Sequence, residues 1–292
     1  TTIIGALNLS GKTSSGTSFG IINAVTDEEF ALVERTSTDP DTGVESTERF
    51  RHKLEPVTNW LVGRIKQDVL ENSHVGAFGS TVNGSGFDPA YVGSVDGELN
   101  LRKNTIRIFS RITGSRTFDN DGLEQKGHEA ALLLKKNGGL VGGEVYVDTR
   151  SRDFDTNDLG FMERNDRIQL GAWTWMRIRN PSKLTRRSDF NLNIWRHWNQ
   201  DKLKIHEGIN FNNWHTFHNY MNAGFGLHRV NEVYNDLLTR GGPPVLRPPL
   251  WDLFINFGTD DRKTVELDLF PSFSWSDNGA SSSQHYGGRI RY

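Results

Sequence analysis

The sequence predicts an all-β protein, a large antiparallel up-and-down transmembrane β-barrel with about fifteen strands visible. Three observations carry this expectation. Apolar and polar residues alternate with period two along most of the chain. Single alternating runs reach about thirteen residues, against roughly five or six for a strand in a globular sheet. Short connections alternate with long ones, the pattern of tight periplasmic turns and longer outer loops. Composition points the same way, since 30 Gly, 17 Phe, 8 Trp and 6 Tyr accompany only 9 Pro in 292 residues.

Strands are expected near 2–11, 17–33, 56–70, 74–83, 90–101, 104–116, 127–136, 140–150, 166–179, 185–198, 202–213, 216–229, 250–258, 263–275 and 283–292. In Pro56 to Asn72, Leu61, Ile65 and Val69 stand at helical spacing, but Leu61, Gly63, Ile65, Gln67 and Val69 also share one strand parity. No cap opens that run, so it reads as a strand. From Thr105 to Gly114, Ile106, Ile108, Ser110 and Ile112 oppose Arg107, Phe109 and Arg111. Val141, Gly143, Val145 and Val147 oppose Glu144, Tyr146, Asp148 and Arg150. From Arg167 to Arg179, Ile168, Leu170, Ala172, Thr174, Met176 and Ile178 oppose Gln169, Gly171, Trp173, Trp175 and Arg177. Phe190, Leu192 and Ile194 oppose Asp189, Asn191 and Asn193, and near the end Val265, Leu267 and Leu269 oppose Glu266 and Asp268.

The connections follow in order. A turn around Ser14–Ser15 precedes a long loop at 34–55, a tight turn at Glu71–Ser73, a loop at 84–89 and a tight turn at Arg102–Lys103. Then come a loop at 117–126, a turn at Asn137–Gly139, a loop at 151–165 and a shorter link at 180–184. Asn199–Gln200–Asp201 breaks the rule, being tight where a long loop is due, and alternation resumes with 230–249 long, 259–262 short and 276–282 longer. An odd strand count puts the first and last strands' outer ends on opposite sides, whereas a bacterial barrel has an even number. Strands upstream of Thr1 are therefore expected.

Alternation alone does not say which face meets water. Size helps, because about fifteen long strands closed on themselves enclose a lumen too wide for side chains to fill, and such a lumen is stable only if polar and watered. Aromatic residues near strand ends, Trp60, Tyr91, Phe118, Trp198, Trp214, Trp251 and Trp275, suit interface girdles, although Trp173 and Trp175 lie mid-strand on the polar parity. The mean hydropathy of −0.57 does not conflict with a membrane barrel, whose apolar residues occupy every second position. A formal charge of −2 argues against nucleic-acid binding. The lack of Cys removes disulfides, thiol nucleophiles and thiolate metal sites. No run of about eighteen apolar residues marks a transmembrane helix.

Four ordered segments resemble a family of outer-membrane barrels of unknown function in Gram-negative bacteria, the domain of unknown function 5916 type. They are Ile3 to Thr26, Glu55 to Gly84, Asn157 to Asp166 and Thr239 to Pro249. That family is usually found C-terminal to a family-9-like carbohydrate-binding domain. The resemblance implies a single β-barrel domain over 1–292, further strands on both sides of this segment, and location in the bacterial outer membrane. It implies lipids and lipopolysaccharide as surroundings, with glycans met through an N-terminal domain and other envelope proteins as further partners. It supplies no catalytic residues.

The candidate constellations are few. Asp153, Asp155, Asn157 and Asp158 resemble a calcium loop, since hard cations want clustered oxygens. The loop lacks Gly at the sixth position and has Arg164 where a bidentate Glu belongs, so it reads as an Asx-rich outer loop. His197, His206, His215, His218 and His228 crowd one region, but the three-residue step from His215 to His218 faces opposite ways on a strand. No nucleophile elbow or phosphate loop occurs. Glu144 with Asp148 and Glu266 with Asp268 share parities, and glycosidase chemistry needs two carboxylates at a defined separation. The preferred reading is a charge network lining a lumen, built from these acids with Arg107, Arg111, Arg177 and Arg179. No cofactor and no enzymatic activity are expected. The leading expectation is a pore, transporter or envelope scaffold. The competing class is a soluble glycan-binding or glycan-cleaving β-protein, using Trp173, Trp175, Trp195 and Trp214 as sugar-stacking platforms.

Overall fold

The computed structural model describes residues 2–38, 40, 43, 45–86, 88–119 and 121–292, and every helix or strand among them is a strand. The strands form where alternation is sustained and stop at residues that favour turns. Strand β1 (Ile3–Lys12) turns at Thr13–Gly16 into β2 (Thr17–Thr26). The hairpin β3 (Glu29–Thr38) and β4 (Glu45–Glu55) follows, then β5 (Thr58–Leu70), β6 (Ser73–Gly84), β7 (Ala90–Leu101), β8 (Ile106–Phe118) and β9 (Glu124–Lys136). Next are β10 (Val141–Arg150), β11 (Arg167–Ile178), β12 (Thr185–Trp198), β13 (Lys204–Phe217) and β14 (Asn222–Val230). The chain closes with β15 (Val233–Asn235), β16 (Val245–Arg247), β17 (Leu250–Gly258), β18 (Glu266–Leu269), β19 (Ser272–Ser276), β20 (Ser282–His285) and β21 (Gly288–Arg291). Tight connections carry left-handed residues, Asn72 at φ 58°, Arg102 at 51°, Lys202 at 64° and Tyr220 at 64°, as hairpins with matched twist require.

Five expectations are corrected. The strand expected over 17–33 ends at Thr26, and the loop expected at 34–55 is mostly a hairpin, β3 with β4, forming its own two-stranded sheet. Its charges mask the pattern, yet they pair across the strands, Arg49 with Glu34 and Arg51 over the Phe30 ring at 4.4 Å. The strand expected over 263–275 breaks between β18 and β19 at Phe270–Pro271, because proline cannot donate to the ladder. The last strand, expected over 283–292, is likewise split into β20 and β21, and the loop expected at 230–249 contains the short pair β15–β16.

Seventeen strands belong to one sheet, and its registered pairs are antiparallel between consecutive long strands, as an up-and-down topology requires. No closed barrel is found among the described residues. Contacts group the chain into two units, the first comprising residues up to Gly97 with Arg111–Glu129 and Asp153–Asn165, the second Glu98–Ser110, Ala130–Arg152 and Asp166–Tyr292.

Register assigns every side chain to a face. In the first unit, Leu9, Ile21, Gly63 and Gly79 form one cross-strand row, and Phe19, Ile65 and Ala77 the next. Leu9 is 52% exposed, whereas Ser80, on the opposite parity of β6, is 5% exposed. In the second unit, Leu192, Phe211, Leu227, Leu253 and Phe273 make one row, bordered by the row Ala172, Ile194, Ile209. Five strands at about 4.8 Å spacing carry that apolar band across roughly 20 Å. Ile194 is 49% exposed and Ile112, on β8, 68%. Thr113, Ser115 and Thr117 on the other parity of β8 are buried. Along these rows the apolar parity is exposed and the polar parity buried, while toward the strand ends Ser188, Glu207 and Asn213 are buried on the apolar parity.

Aromatic rings tile glycines on the polar parity. A Cβ at Gly208 would meet Trp195 Cζ2 at 2.4 Å and the Arg229 carbonyl oxygen at 2.5 Å, so backbone as well as ring opposes a side chain there. Gly208→Ala should therefore destabilise the protein by about 1–3 kcal/mol, measured by denaturant unfolding. The turn after β17 gives a pH prediction. Arg262 donates two hydrogen bonds to the Asp260 carboxylate, at 2.8 Å each, and holds its pKa at about 2. A depressed carboxylate pKa stabilises above its unfolded value near 4, and that stabilisation is lost as pH falls toward 2. The thermal midpoint should drop over that window in the wild type and less steeply in Asp260→Asn.

Candidate functional site: the polar face of the sheet

The polar parity concentrates the chain's partnered charges. In the first unit, Arg64 Nη2 donates to Asp96 at 2.8 Å, with His74 Nε2 3.7 Å from the same carboxylate, and Arg111 donates to Glu129 at 2.8 Å. Asp96 and Glu129 are nearly inaccessible, at 6% and 5%. Carboxylates this enclosed need such partners, since an unpaired buried charge is costly.

The 151–165 connection, expected as an Asx-rich outer loop, is anchored to the sheet at Phe154 and Asp155. Phe154 is 2% exposed, and its Cα lies 2.1 Å from where a Cβ on Gly127 would stand. The Asp155 N–H donates to Ser115 Oγ at 3.0 Å. Gly127 and Ser115 both lie on the buried parity of β9 and β8, so the Asp153–Phe154 backbone of the loop packs directly on the bare glycine of the polar face. Asp155 Oδ1 and Asn157 Oδ1 accept N–H groups of Asn157 and Met162, serving the loop's own backbone. Among the described residues no group of three or more His, Asp or Glu is placed to hold a metal ion, Asp153, Asp155 and Asp158 included.

In the second unit, Glu144 pairs with Lys135 at 2.9 Å, Asp148 with Arg167 at 3.0 Å, and Arg107 with Glu98 at 2.6 Å. Arg179 pairs with Asp189 at 2.7 Å, and the Arg177 guanidinium lies 5.0 Å from the Trp175 ring centre. Glu266 and Asp268 pair with Arg291 and Arg289 at 2.8 and 2.6 Å across β18 and β21. Glu144 and Asp148 are four strand residues apart, about 13 Å. That exceeds the separation of glycosidase carboxylate pairs.

Between these charges lies a neutral region that charge-based reading passes over. Asn193 Nδ2 donates to Asn210 Oδ1 at 3.0 Å, Asn191 to Asn212 at 2.9 Å and Asn212 to Asn210 at 2.7 Å, a ladder of amides across β12 and β13. Trp173 Nε1 donates to Asn191 Oδ1 at 3.1 Å. Trp195 Nε1 donates to His206 Nε2 at 3.3 Å, and its ring lies 5.1 Å from that of His228, whose Nδ1 is 3.3 Å from Asp252. Ser274 in turn donates to Asp252. Register places Trp173, Trp175, Trp195 and Trp214 on this one face, with His197 opposite His206. The amides at every second position, 191 with 193 and 210 with 212, were the available sequence signal.

Of the girdle candidates, Trp214 thus shares the polar face, and Trp251 and Trp275 behave differently. Trp251 and Trp275 stack at 6.4 Å with 13° between planes, and Arg229 lies 4.8 Å over Trp251 while pairing with Asp277. That ion pair holds the Asp277 carboxyl below its usual range.

These features define an all-β, antiparallel, up-and-down sheet protein in which many large apolar side chains are exposed and partnered polar ones are buried. The chain belongs to the family described as Domain of unknown function (DUF5916), whose model matches residues 1–292. No curated protein and no solved structure matches it significantly.

The seat of Phe154 is directly testable. Gly127→Ala should unseat the loop, raising the rate of proteolytic cleavage within 151–165 several-fold while leaving the strand content by circular dichroism unchanged.

Proposed function

We propose that the protein is a non-enzymatic outer-membrane β-barrel that passes hydrophilic solutes along its polar face, with the apolar face toward lipid. The observation that carries this reading is the inverted alternation, polar side chains buried and large apolar ones exposed along the same strands. In water, an apolar surface beyond a few hundred Å² marks a protein or membrane contact. In a bilayer the same surface is the solvated one, and strands of nine to fourteen residues, such as β10 to β14, match the roughly 9–11 tilted residues that cross the hydrocarbon. The stacked Trp251–Trp275 pair with Arg229 and Asp277 suits a headgroup boundary, where amphipathic rings and charges meet.

On this reading the surroundings are outer-membrane lipids and lipopolysaccharide, the charge pairs line a watered passage, and the 151–165 loop narrows it. The polar face offers solutes hydrogen-bonding groups and offset charges rather than a field of one sign, as a passage for uncharged or mixed solutes would.

Two measurements test the reading. In lipid vesicles, Leu192→Arg on the apolar face should cost about 2–4 kcal/mol in urea unfolding, and Asn212→Arg on the polar face far less. Planar-bilayer recordings of the inserted full-length protein should show conductance, larger in Gly127→Ala than in wild type. Recovery of the unmodified protein in the aqueous fraction without detergent overturns the membrane assignment, and silent but inserted protein overturns the passage.

A further inference from the structure

The polar face of β10 to β13 carries a concavity of about 360 Å³, lined among others by Tyr146, Gln169, Trp173, Asn193, Trp195 and His206. Its aromatic walls lie flat. A Cβ at Gly171 would strike the Tyr146 ring at 2.3 Å, and one at Gly208 would strike Trp195 at 2.4 Å, so each ring rests on a bare glycine of the neighbouring strand. A ring lying on the sheet turns its other face away from the backbone, and both rings are half-buried rather than covered. Trp195 is held in place by its hydrogen bond to His206 and by the His228 ring behind it, itself fixed beside Asp252. Trp173 is fixed by its hydrogen bond to Asn191.

Planar amides stand beside these platforms. Asn193 registers directly with Trp173, and Gln169 Nε2 donates to the Tyr146 hydroxyl at 3.1 Å. Glu144, on the lining, is neutralised by Lys135, whose ammonium lies 5.5 Å from the Trp173 ring centre, so the two charges offset and no net field favours an ionic ligand. Rigid amphipathic rings supply contact area at little entropic cost, and amides supply paired donors and acceptors. The ligand that uses all of this is uncharged, has flat apolar C–H faces and carries hydroxyls around its edge.

From this arrangement we propose that the concavity is a binding site for a neutral oligosaccharide, with pyranose rings stacked on Trp195 and Tyr146 and hydroxyls bonded to Asn193 and Gln169. The proposal rests on the preceding reading only in naming what travels along the polar face. Sugar binding itself does not require the membrane.

The test uses the full-length protein folded in detergent micelles, with folding verified by heat-modifiable gel mobility. Maltohexaose and cellohexaose are titrated by tryptophan fluorescence and calorimetry, with hexaglycine as the counter-probe. Saturable binding of either sugar is expected, weakened at least tenfold in Trp195→Ala and Asn193→Ala, largely kept in Trp195→Phe, and unchanged in Trp214→Ala, whose ring does not line the concavity. Folded protein that binds neither sugar at millimolar concentration overturns the proposal. So does binding that the Trp195 and Asn193 variants leave intact, or hexaglycine bound as tightly as the sugars. Should the protein prove soluble without detergent, the same titration in buffer separates failure of the membrane reading from failure of the sugar site.

Discussion

The two-residue period of the pleated strand is the constraint on which everything else depends. Once the antiparallel ladder fixes register, each side chain is committed to one face, and a one-residue slip would exchange the faces completely. Here the ladder puts Arg64, Asp96, Arg111, Glu129, Glu144 and Asp148 on the enclosed parity and Leu9, Ile112, Ile194 and Phe211 on the open one. The backbone satisfies its own donors and acceptors within the sheet, which leaves the side chains to decide what surrounds each face. Buried salt bridges do little for net stability, but breaking one is expensive. The pairs therefore act to hold the register as much as to strengthen it.

Glycine is the second structural device, and it works through register. Tyr146 covers Gly171, Trp195 covers Gly208, Phe254 covers Gly226 and Phe154 seats against Gly127. In the first three cases a missing side chain on one segment is the space for a ring from another, and at Gly127 it is the space for the Asp153–Phe154 backbone. The result is a polar face that is nonetheless tiled with aromatic surface, flat enough to stack a ligand and rimmed by amides. That combination distinguishes it from a purely charged lining.

Much of this was legible in the sequence. The strands at 90–101, 185–198 and 250–258 begin and end where alternation does. The β3–β4 hairpin was hidden because its alternation runs through charged residues, Glu45 to Glu55, in which polar and apolar parities differ little until Arg49 is seen opposite Glu34. Pro271 carried a readable warning that the strand over 263–275 would break. Of the site, the charged residues were visible as parity neighbours, but their partners were not, because a partner such as Arg167 for Asp148 follows from cross-strand register. The anchoring of the 151–165 loop at Phe154 and Asp155 was barely legible. A loop rich in Asp reads as solvent-exposed, and only Phe154 within it hinted that one point turns inward.

The most direct measurement of which face meets lipid uses the absence of cysteine, which makes single-site spin labelling free of background. Cysteines placed in turn at Ile209, Asn210, Phe211 and Asn212 of β13 would be labelled in proteoliposomes, and their collision rates with oxygen and with a water-soluble nickel chelate compared. Inverted alternation in a bilayer predicts high oxygen and low nickel accessibility at Ile209 and Phe211, and the reverse at Asn210 and Asn212. Equal nickel accessibility at all four positions, or oxygen-rich environments at the asparagines, would contradict it.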